Sequence, residues 1–335
     1  MSAVESLDLI HFVCPPWHQA TGGNRYNRSL ARALARAGHS VGLMSLRNGV
    51  RAINRGEPGI YVVDSLFRDE AEGWLVGRKR FPNQQVYFLL HYLPGMQDSG
   101  LMVGDRVFLN AMDRVIVTGS ASARYVREQA ASSTPVTTLF PGLSVPYRRP
   151  VDLDREPLKA LVVANLTEGK GVYNLLSQLN LARGLSLTIV GRHDMSPSYA
   201  RDCFRLARRL EGAIDITFID TLSPTALAEL YVRHHVFVSA SRFETFGMAL
   251  QDAFLLGLPI LSLDVGEVRT FVQEGKNGFV LPTVRSISTH LDAIGKDELM
   301  LRTLVGHARR LRPTVRATWR KLAEAFLETT RPPAA

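Results

Sequence analysis

A chain of 335 residues is too long for one ordinary hydrophobic core and comfortable for two. With 46% hydrophobic and 21% charged residues it has the composition of a soluble globular protein, and no stretch approaches the roughly 18 uninterrupted apolar residues of a membrane-spanning helix. The formal charge of +9 draws the chain towards phosphate-bearing ligands, anionic membrane surfaces or nucleic acid, and says nothing about the fold.

Cys14 and Cys203 fall in opposite halves, which argues against a disulfide framework. Met1–Ser6 lacks the basic-then-apolar plan of a secretory leader. A reducing cytoplasm is the expected setting.

Leu7 to Cys14 reads as the first strand, ended by Pro15-Pro16. Thr21-Gly22-Gly23-Asn24 then forms a turn into a helix from about Asn24 to Ala37, closed by Gly38. On that helix Tyr26, Leu30, Ala33, Leu34 and Ala37 share one face, and Arg25, Arg28, Arg32 and Arg36 share another. Further strands are expected at Ser40–Leu46, Ile60–Ser65, Val86–Tyr92 and Arg114–Gly119, with helical stretches between. Such alternation predicts a parallel sheet flanked by helices. His91 sits at the carboxyl end of one predicted strand, a place where a histidine is either structural or part of a site. Ser120 is placed to cap the helix after its strand, and the Pro- and charge-rich Tyr147 to Pro157 reads as the interdomain linker.

The second half repeats the plan. Leu158 to Leu166 reads as a buried strand, followed by Thr167-Glu168-Gly169-Lys170-Gly171 and a helix through Arg183. A lysine between two glycines at a strand-to-helix turn can reach a phosphate, although a solvated loop lysine is the plainer reading of those residues alone. Leu185–Val190 and Ile214–Ile219 are the next strands, Pro224–Arg233 an amphipathic helix, and His235–Ser239 a short buried strand.

Then comes the most informative stretch. Arg242-Phe243-Glu244-Thr245-Phe246-Gly247 leads into a helix from Met248 to Leu256, capped by Gly257 and stopped by Pro259. The N–H groups around Phe246, Gly247 and Met248 open that helix and, with its dipole, favour an anion such as a diphosphate. Gly247 lets a ligand approach the backbone closely. Glu244 precedes those donors, and Asp252 lies roughly 7–8 Å further along the axis. Amide donors flanked by two acceptor-only carboxylates suit a nucleotide-sugar: hydroxyl-rich sugar, diphosphate, hydroxyl-rich ribose. Pro259–Asp264 is another strand. From Ser286 the tail is helical and basic, with Arg309, Arg310, Arg312, Arg316, Arg320 and Lys321 on it, and Trp319, Leu322, Phe326 and Leu327 giving an apolar face.

Glu244 and an acid eight positions later, with Phe246-Gly247 between and Gly257-Leu258-Pro259 after, resemble the signature of glycosyltransferase family 4, also called glycosyl transferases group 1. The family pattern is Glu, seven residues, Glu. This chain has Asp252 in the second place, Gln251 before it, and Thr245 where Gly is usual. Members are retaining enzymes of the α/β GT-B fold. The resemblance therefore implies two Rossmann-like, doubly wound parallel-sheet domains facing a cleft. Residues 1–150 would form the acceptor side and 151–314 the nucleotide-sugar domain. A final helix at about 315–330 would cross back to the first domain.

The same resemblance assigns roles. Glu244 would hold the donor sugar, and His91 would hydrogen-bond the sugar or developing charge. Lys170, Phe246, Gly247 and Met248 would receive the diphosphate, Thr245 would lie among the donor-binding residues, and Asp252 would receive the ribose. Where the family favours an Arg five residues before the lysine, this chain has Asn165, which leaves Arg192 as the candidate replacement. Gly22, Gly23 and Asn24 match the family's loop near the donor phosphates and acceptor. The co-substrate would be a nucleoside diphosphate sugar, the acceptor a hydroxyl on a glycan, a lipid-linked molecule or a small molecule, and no metal or other cofactor is implied. The strict G-x-G-x-x-G fingerprint of a nicotinamide site is absent.

The arginine-rich helices read as solvated faces or as attraction to an anionic membrane carrying a lipid-linked acceptor. No binding motif supports nucleic acid. Two rival functions remain: a sugar-nucleotide epimerase on the same fold, and a non-catalytic partner that keeps it.

Overall fold

The computed structural model describes residues 9–16, 21–96, 103–129, 133–152, 157–179, 184–312 and 318–330. The N-terminal segment Met1–Ser6, the expected helix end at Arg183, and Arg316 lie outside the described residues. The chain divides into two units, one of Met1–Gly142 with Ala317–Ala335, the other of Leu143–Arg316.

The first unit runs β1 (Leu9–Val13), α1 (Gly22–Arg36), β2 (Ser40–Met44), α2 (Leu46–Arg55), β3 (Gly59–Asp64), α3 (Arg68–Leu75), β4 (Gln84–Leu90), α4 (Val103–Asn110), β5 (Arg114–Val117), α5 (Ser120–Arg124) and β6 (Val136–Thr138). Its strands form one parallel sheet in the order β2-β1-β3-β4-β5-β6. The second unit runs β7 (Leu158–Val163), α6 (Val172–Gln178), β8 (Leu185–Val190), α7 (Pro197–Leu210), β9 (Asp215–Ile219), α8 (Pro224–Val232), β10 (Val236–Ser239), α9 (Met248–Leu256), β11 (Ile260–Leu263), α10 (Val268–Phe271), β12 (Gly278–Leu281), α11 (Val284–Lys296) and α12 (Glu298–Leu311). Its parallel sheet has the order β12-β11-β10-β7-β8-β9.

Burial follows topology. β3 is buried at all of its residues, and β10 likewise, as strands covered by helices on both faces must be. The edge strands β2 and β9 have only exposed and half-buried residues, none of them fully buried. Among the described residues, no helix is long and apolar enough to cross a membrane.

Several boundaries differ from the sequence expectations. α1 opens at Gly22, not near Asn24, because Thr21 Oγ1 accepts the Asn24 N–H at 3.1 Å and caps the helix there. Gly22 and Gly23 are thus its first turn. Ser120 is the first residue of α5, and Gly119 occupies the cap.

The reading of Tyr147 to Pro157 as the interdomain linker also changes. The chain divides after Gly142, and the described part of that stretch is strapped to the second unit. The Arg148 guanidinium donates to Glu229 at 2.8 Å, and Arg309 donates to Asp152 Oδ1 and to the Val151 carbonyl, each at 2.6 Å. Arg312 stacks over the Tyr147 ring and donates to its hydroxyl. The expected basic cluster of the tail is therefore dispersed. Arg309 and Arg312 belong to the second unit and are spent on this strap, while Arg320 pairs with Glu324 on the last helix.

That helix, α13 (Trp319–Thr330), packs on the first unit. The Trp319 ring meets Tyr26 edge-on at 5.4 Å, Phe326 meets Tyr87 at 6.0 Å, and the Tyr87 hydroxyl donates to the Thr329 carbonyl at 3.3 Å.

Candidate functional site

In the second unit β8 and β9 lie on one side of β7, while β10, β11 and β12 run away on the other. The strand order therefore reverses between β7 and β10. Loops leaving the carboxyl ends of two such strands diverge and leave a crevice, the usual ligand site of an open α/β sheet.

Lys170 stands on the loop after β7 and Glu244 on the loop after β10. Lys170 Nζ donates to Glu244 Oε1 at 2.5 Å, with the two side chains 31% and 20% exposed. The Arg242 N–H donates to the Gly169 carbonyl at 2.9 Å and ties the two loops.

Glycines make this closeness possible. Gly171 has φ +66°, and a Cβ there would lie 2.1 Å from the Ala240 carbonyl oxygen. Gly266, at φ +56° on the loop after β11, would bring a Cβ to 3.0 Å from the Glu244 backbone oxygen. Gly247, at φ +91°, is the N-cap of α9 and turns the chain from the Glu244 loop into the helix. The first-turn N–H groups of α9 have no carbonyl one turn earlier to meet, so the helix opens with donors. Glu244, Lys170 and the start of α9 thus gather at the switch point.

Other expected donor-site residues are placed differently. The Phe246 side chain is buried and meets Phe271 edge-on at 5.5 Å, and its carbonyl accepts the Glu267 N–H at 3.2 Å. Thr245 and Met248 are half-buried, Met248 against the same apolar cluster. Asp252 is 1% exposed. Its Oδ1 accepts the Ser144 N–H at 2.9 Å, and its Oδ2 accepts the Ser144 hydroxyl. The second carboxylate thus holds the chain just after the division between units. Arg192 is held as a bidentate pair by Asp194 at 2.8 and 2.7 Å, which raises its pKa through hydrogen bonding to that carboxylate. Asn165 Oδ1 accepts the Arg192 backbone N–H at 3.1 Å, and its amide nitrogen faces the Met195 sulfur at 3.1 Å. Asn165 and Arg192 therefore form a loop-bracing pair, with the guanidinium already matched.

The first unit has its own switch point, between β1 and β3. Around it lie Gly22 and Gly23 at the start of α1, Asp64 at the end of β3, and His91 just past β4. Gly22 is open, whereas a Cβ on Gly23 would sit 3.0 Å from the His91 ring. Asn24 is buried, with its N–H on the Thr21 hydroxyl.

His91 Nε2 lies 2.8 Å from Asn27 Oδ1, and Asn27 Nδ2 donates to Asp64 Oδ2 at 2.5 Å. The His91 backbone N–H donates to the Ser65 hydroxyl at 3.0 Å. Burial lowers the His91 pKa, and nearby Asp64 opposes that in part. Sequence reading missed Asn27 and Asp64. An acid ending a predicted strand was the available signal for Asp64; Asn27, between Tyr26 and Leu30 on an ordinary helix, gave none.

Residues 146–311 match the family model described as Glycosyl transferases group 1. The UDP-N-acetylglucosamine–peptide N-acetylglucosaminyltransferase GtfA subunit of Streptococcus gordonii is 28% identical over 53% of this chain and 36% of its own length. The D-inositol 3-phosphate glycosyltransferase of Rhodococcus opacus is 24% identical over 83% of this chain and 68% of its own. The chain thus spans about a third of the first of these relatives and about two thirds of the second. In structure, a sucrose-phosphate synthase from Thermosynechococcus elongatus superposes with a TM-score of 0.78 at 19% identity, covering 96% of this chain and 98% of that one. Fold and domain agree: the chain has the GT-B fold, and its second unit carries a glycosyl transferases group 1 domain.

Proposed function

We propose that this protein transfers a hexosyl group from a nucleoside diphosphate sugar to a hydroxyl acceptor, retaining the anomeric configuration and using no metal ion. The observation that carries the reading is the Lys170–Glu244 pair at the reversal of the second sheet, next to the opening turn of α9. Breaking the bond to the donor sugar leaves positive charge on the sugar carbon and negative charge on the departing diphosphate. The α9 amide donors and the Lys170 ammonium are preorganised for that negative charge, and preorganised donors are where most transition-state stabilisation arises. Glu244 accepts hydrogen bonds from sugar hydroxyls and holds the reacting carbon over those donors. In front-face attack, the leaving phosphate takes the acceptor's proton, which accounts for retention without a second carboxylate.

Purified protein incubated with a panel of nucleoside diphosphate sugars should release nucleoside diphosphate slowly from one of them, and release should be unchanged by a chelator. Lys170→Ala and Glu244→Ala should each cut that rate about 100-fold or more. Full activity in either variant removes that residue from the mechanism, and interconversion of the donor would mark an epimerase.

A second reading, a non-catalytic protein on this fold, is favoured by the engagement of Asp252 with Ser144 and of Arg192 with Asp194. Failure of every sugar nucleotide to bind in a thermal-shift screen would select it.

A further inference from the structure

We propose that Asp64 and Asn27 are positioning residues that hold the His91 imidazole in its Nε2–H tautomer, so that Nδ1 is presented as a hydrogen-bond acceptor for a substrate hydroxyl. That use of Nδ1 rests on the glycosyl-transfer reading above; the fixed tautomer does not.

The direction of every bond in the chain follows from its buried end. Asp64 is 1% exposed, and its Oδ1 accepts the Leu66 N–H at 2.8 Å. Its Oδ2 faces Asn27, which is fully buried. An ionised carboxylate only accepts, so Asn27 must turn its NH₂ towards Asp64. The amide oxygen then points at His91 Nε2, 2.8 Å away. An amide oxygen also only accepts, so Nε2 must carry the hydrogen, and in a neutral ring Nδ1 is left bare. The ring cannot pivot out of this arrangement freely. Gly23 lies against one side, Tyr26 meets it edge-on at 5.3 Å, and its backbone is pinned by Ser65. His91 Nε2 lies 3.7 Å from Asp64 Oδ2, so the carboxylate acts mainly through the intervening amide. The His91 side chain keeps 14% exposure, and with Nε2 engaged the remaining polar ring atom is Nδ1.

Asp64→Asn gives the sharpest test, because the chain predicts a reversal and not merely a loss. The Leu66 N–H is fixed in the backbone and still needs an acceptor, so the new amide should give it the oxygen and turn its NH₂ to Asn27. Asn27 then rotates, presents its own NH₂ to His91, and drives the imidazole into the Nδ1–H tautomer. Nitrogen NMR of histidine-labelled protein reads this directly, with the His91 signals assigned by comparison with His91→Gln.

In wild-type protein at neutral pH, His91 should show a protonated Nε2 and a bare Nδ1; a mixed or reversed pattern there overturns the proposal without any variant. In Asp64→Asn the two nitrogen signatures should exchange, and donor turnover should fall about 10-fold, the scale of one lost hydrogen bond. Unchanged signatures in a folded variant overturn the positioning role. Exchanged signatures with undiminished turnover overturn the use of Nδ1. A wild-type protein with the expected tautomer but no action on any sugar nucleotide would count against the transfer reading alone.

Discussion

Each half of the Lys170–Glu244 pair has a second partner in the proposed reaction: the diphosphate for the ammonium, the sugar hydroxyls for the carboxylate. A nucleoside diphosphate lacking its sugar must compete with Glu244 for Lys170 and offers Glu244 nothing in return. Glu244→Gln should therefore bind free nucleoside diphosphate more tightly, by up to about fivefold for an ion pair of this exposure, while losing turnover. Calorimetric titration of both proteins checks the sign, and weaker binding by the variant would mean that Lys170 does not face the phosphates. His91 makes a second prediction. Its folded pKa lies below the ordinary 6.5 because burial disfavours the charged ring. The unfolded chain then binds the extra proton first, so this contribution to stability is intact above pH 6.5 and is lost as pH falls below it towards the folded value. Denaturant titrations should show wild-type protein losing ground to His91→Gln on acidification, and parallel curves would place the imidazole in water. The positions of Glu244 and His91 after strands were legible in sequence, since apolar runs mark the strands locally: His91 lies just past β4 and Glu244 on the loop after β10. Asp252 was legible as an acid on α9 but not as the partner of Ser144, since a contact over that separation leaves no local trace.

Elements explain why the loops meet as they do. The short, β-branched strands and the Gly-Pro stop after α9 could be read because each is a local signal. Gly257 has φ +79° and closes the helix by donating to the Phe254 carbonyl, as that signal requires. The start of α1 was misplaced because a Gly-Gly pair reads as a turn unless the threonine before it is known to cap. Gly171 shows what sequence alone could not weigh. Its φ of +66° alone would cost a side chain about 1–3 kcal/mol. A methyl group at that position would also clash with the Ala240 carbonyl oxygen, only 2.1 Å away. Gly171→Ala should therefore lower stability by at least the backbone cost in urea denaturation and also separate the Lys170 loop from Glu244, depressing turnover. Gly22→Ala, at an open position in a helical first turn, should leave stability nearly unchanged. Equal effects would mean that Gly171 is not held against Ala240.

At the scale of the whole molecule, the chain's last helix belongs to its first unit, and sequence pattern could suggest an apolar face on it without saying what it covers. The answer lies in α1 and β4: Tyr26 and Tyr87 are 1% and 2% exposed, and Trp319, Phe326 and the Thr329 carbonyl lie against them. Phe326 is completely buried there, and removing its ring leaves a cavity that costs about 3–5 kcal/mol in well-packed sites. Trp74 and Trp319, the tryptophans among the described residues, both belong to the first unit, so their fluorescence reports its unfolding. Phe326→Ala should move that fluorescence transition to lower urea by the full amount. Nucleoside diphosphate should raise stability by RT ln(1 + [L]/Kd) through the unit that binds it. That is the second unit if the α9 opening is the phosphate site. Calorimetry of Phe326→Ala with and without nucleoside diphosphate joins the two statements: the substitution should leave the dissociation constant near its wild-type value, because Lys170, Glu244 and α9 are built entirely from residues 143–316. A large loss of affinity would instead place part of the nucleotide site on residues of the first unit, and the division of labour argued from the second sheet's reversal would fall.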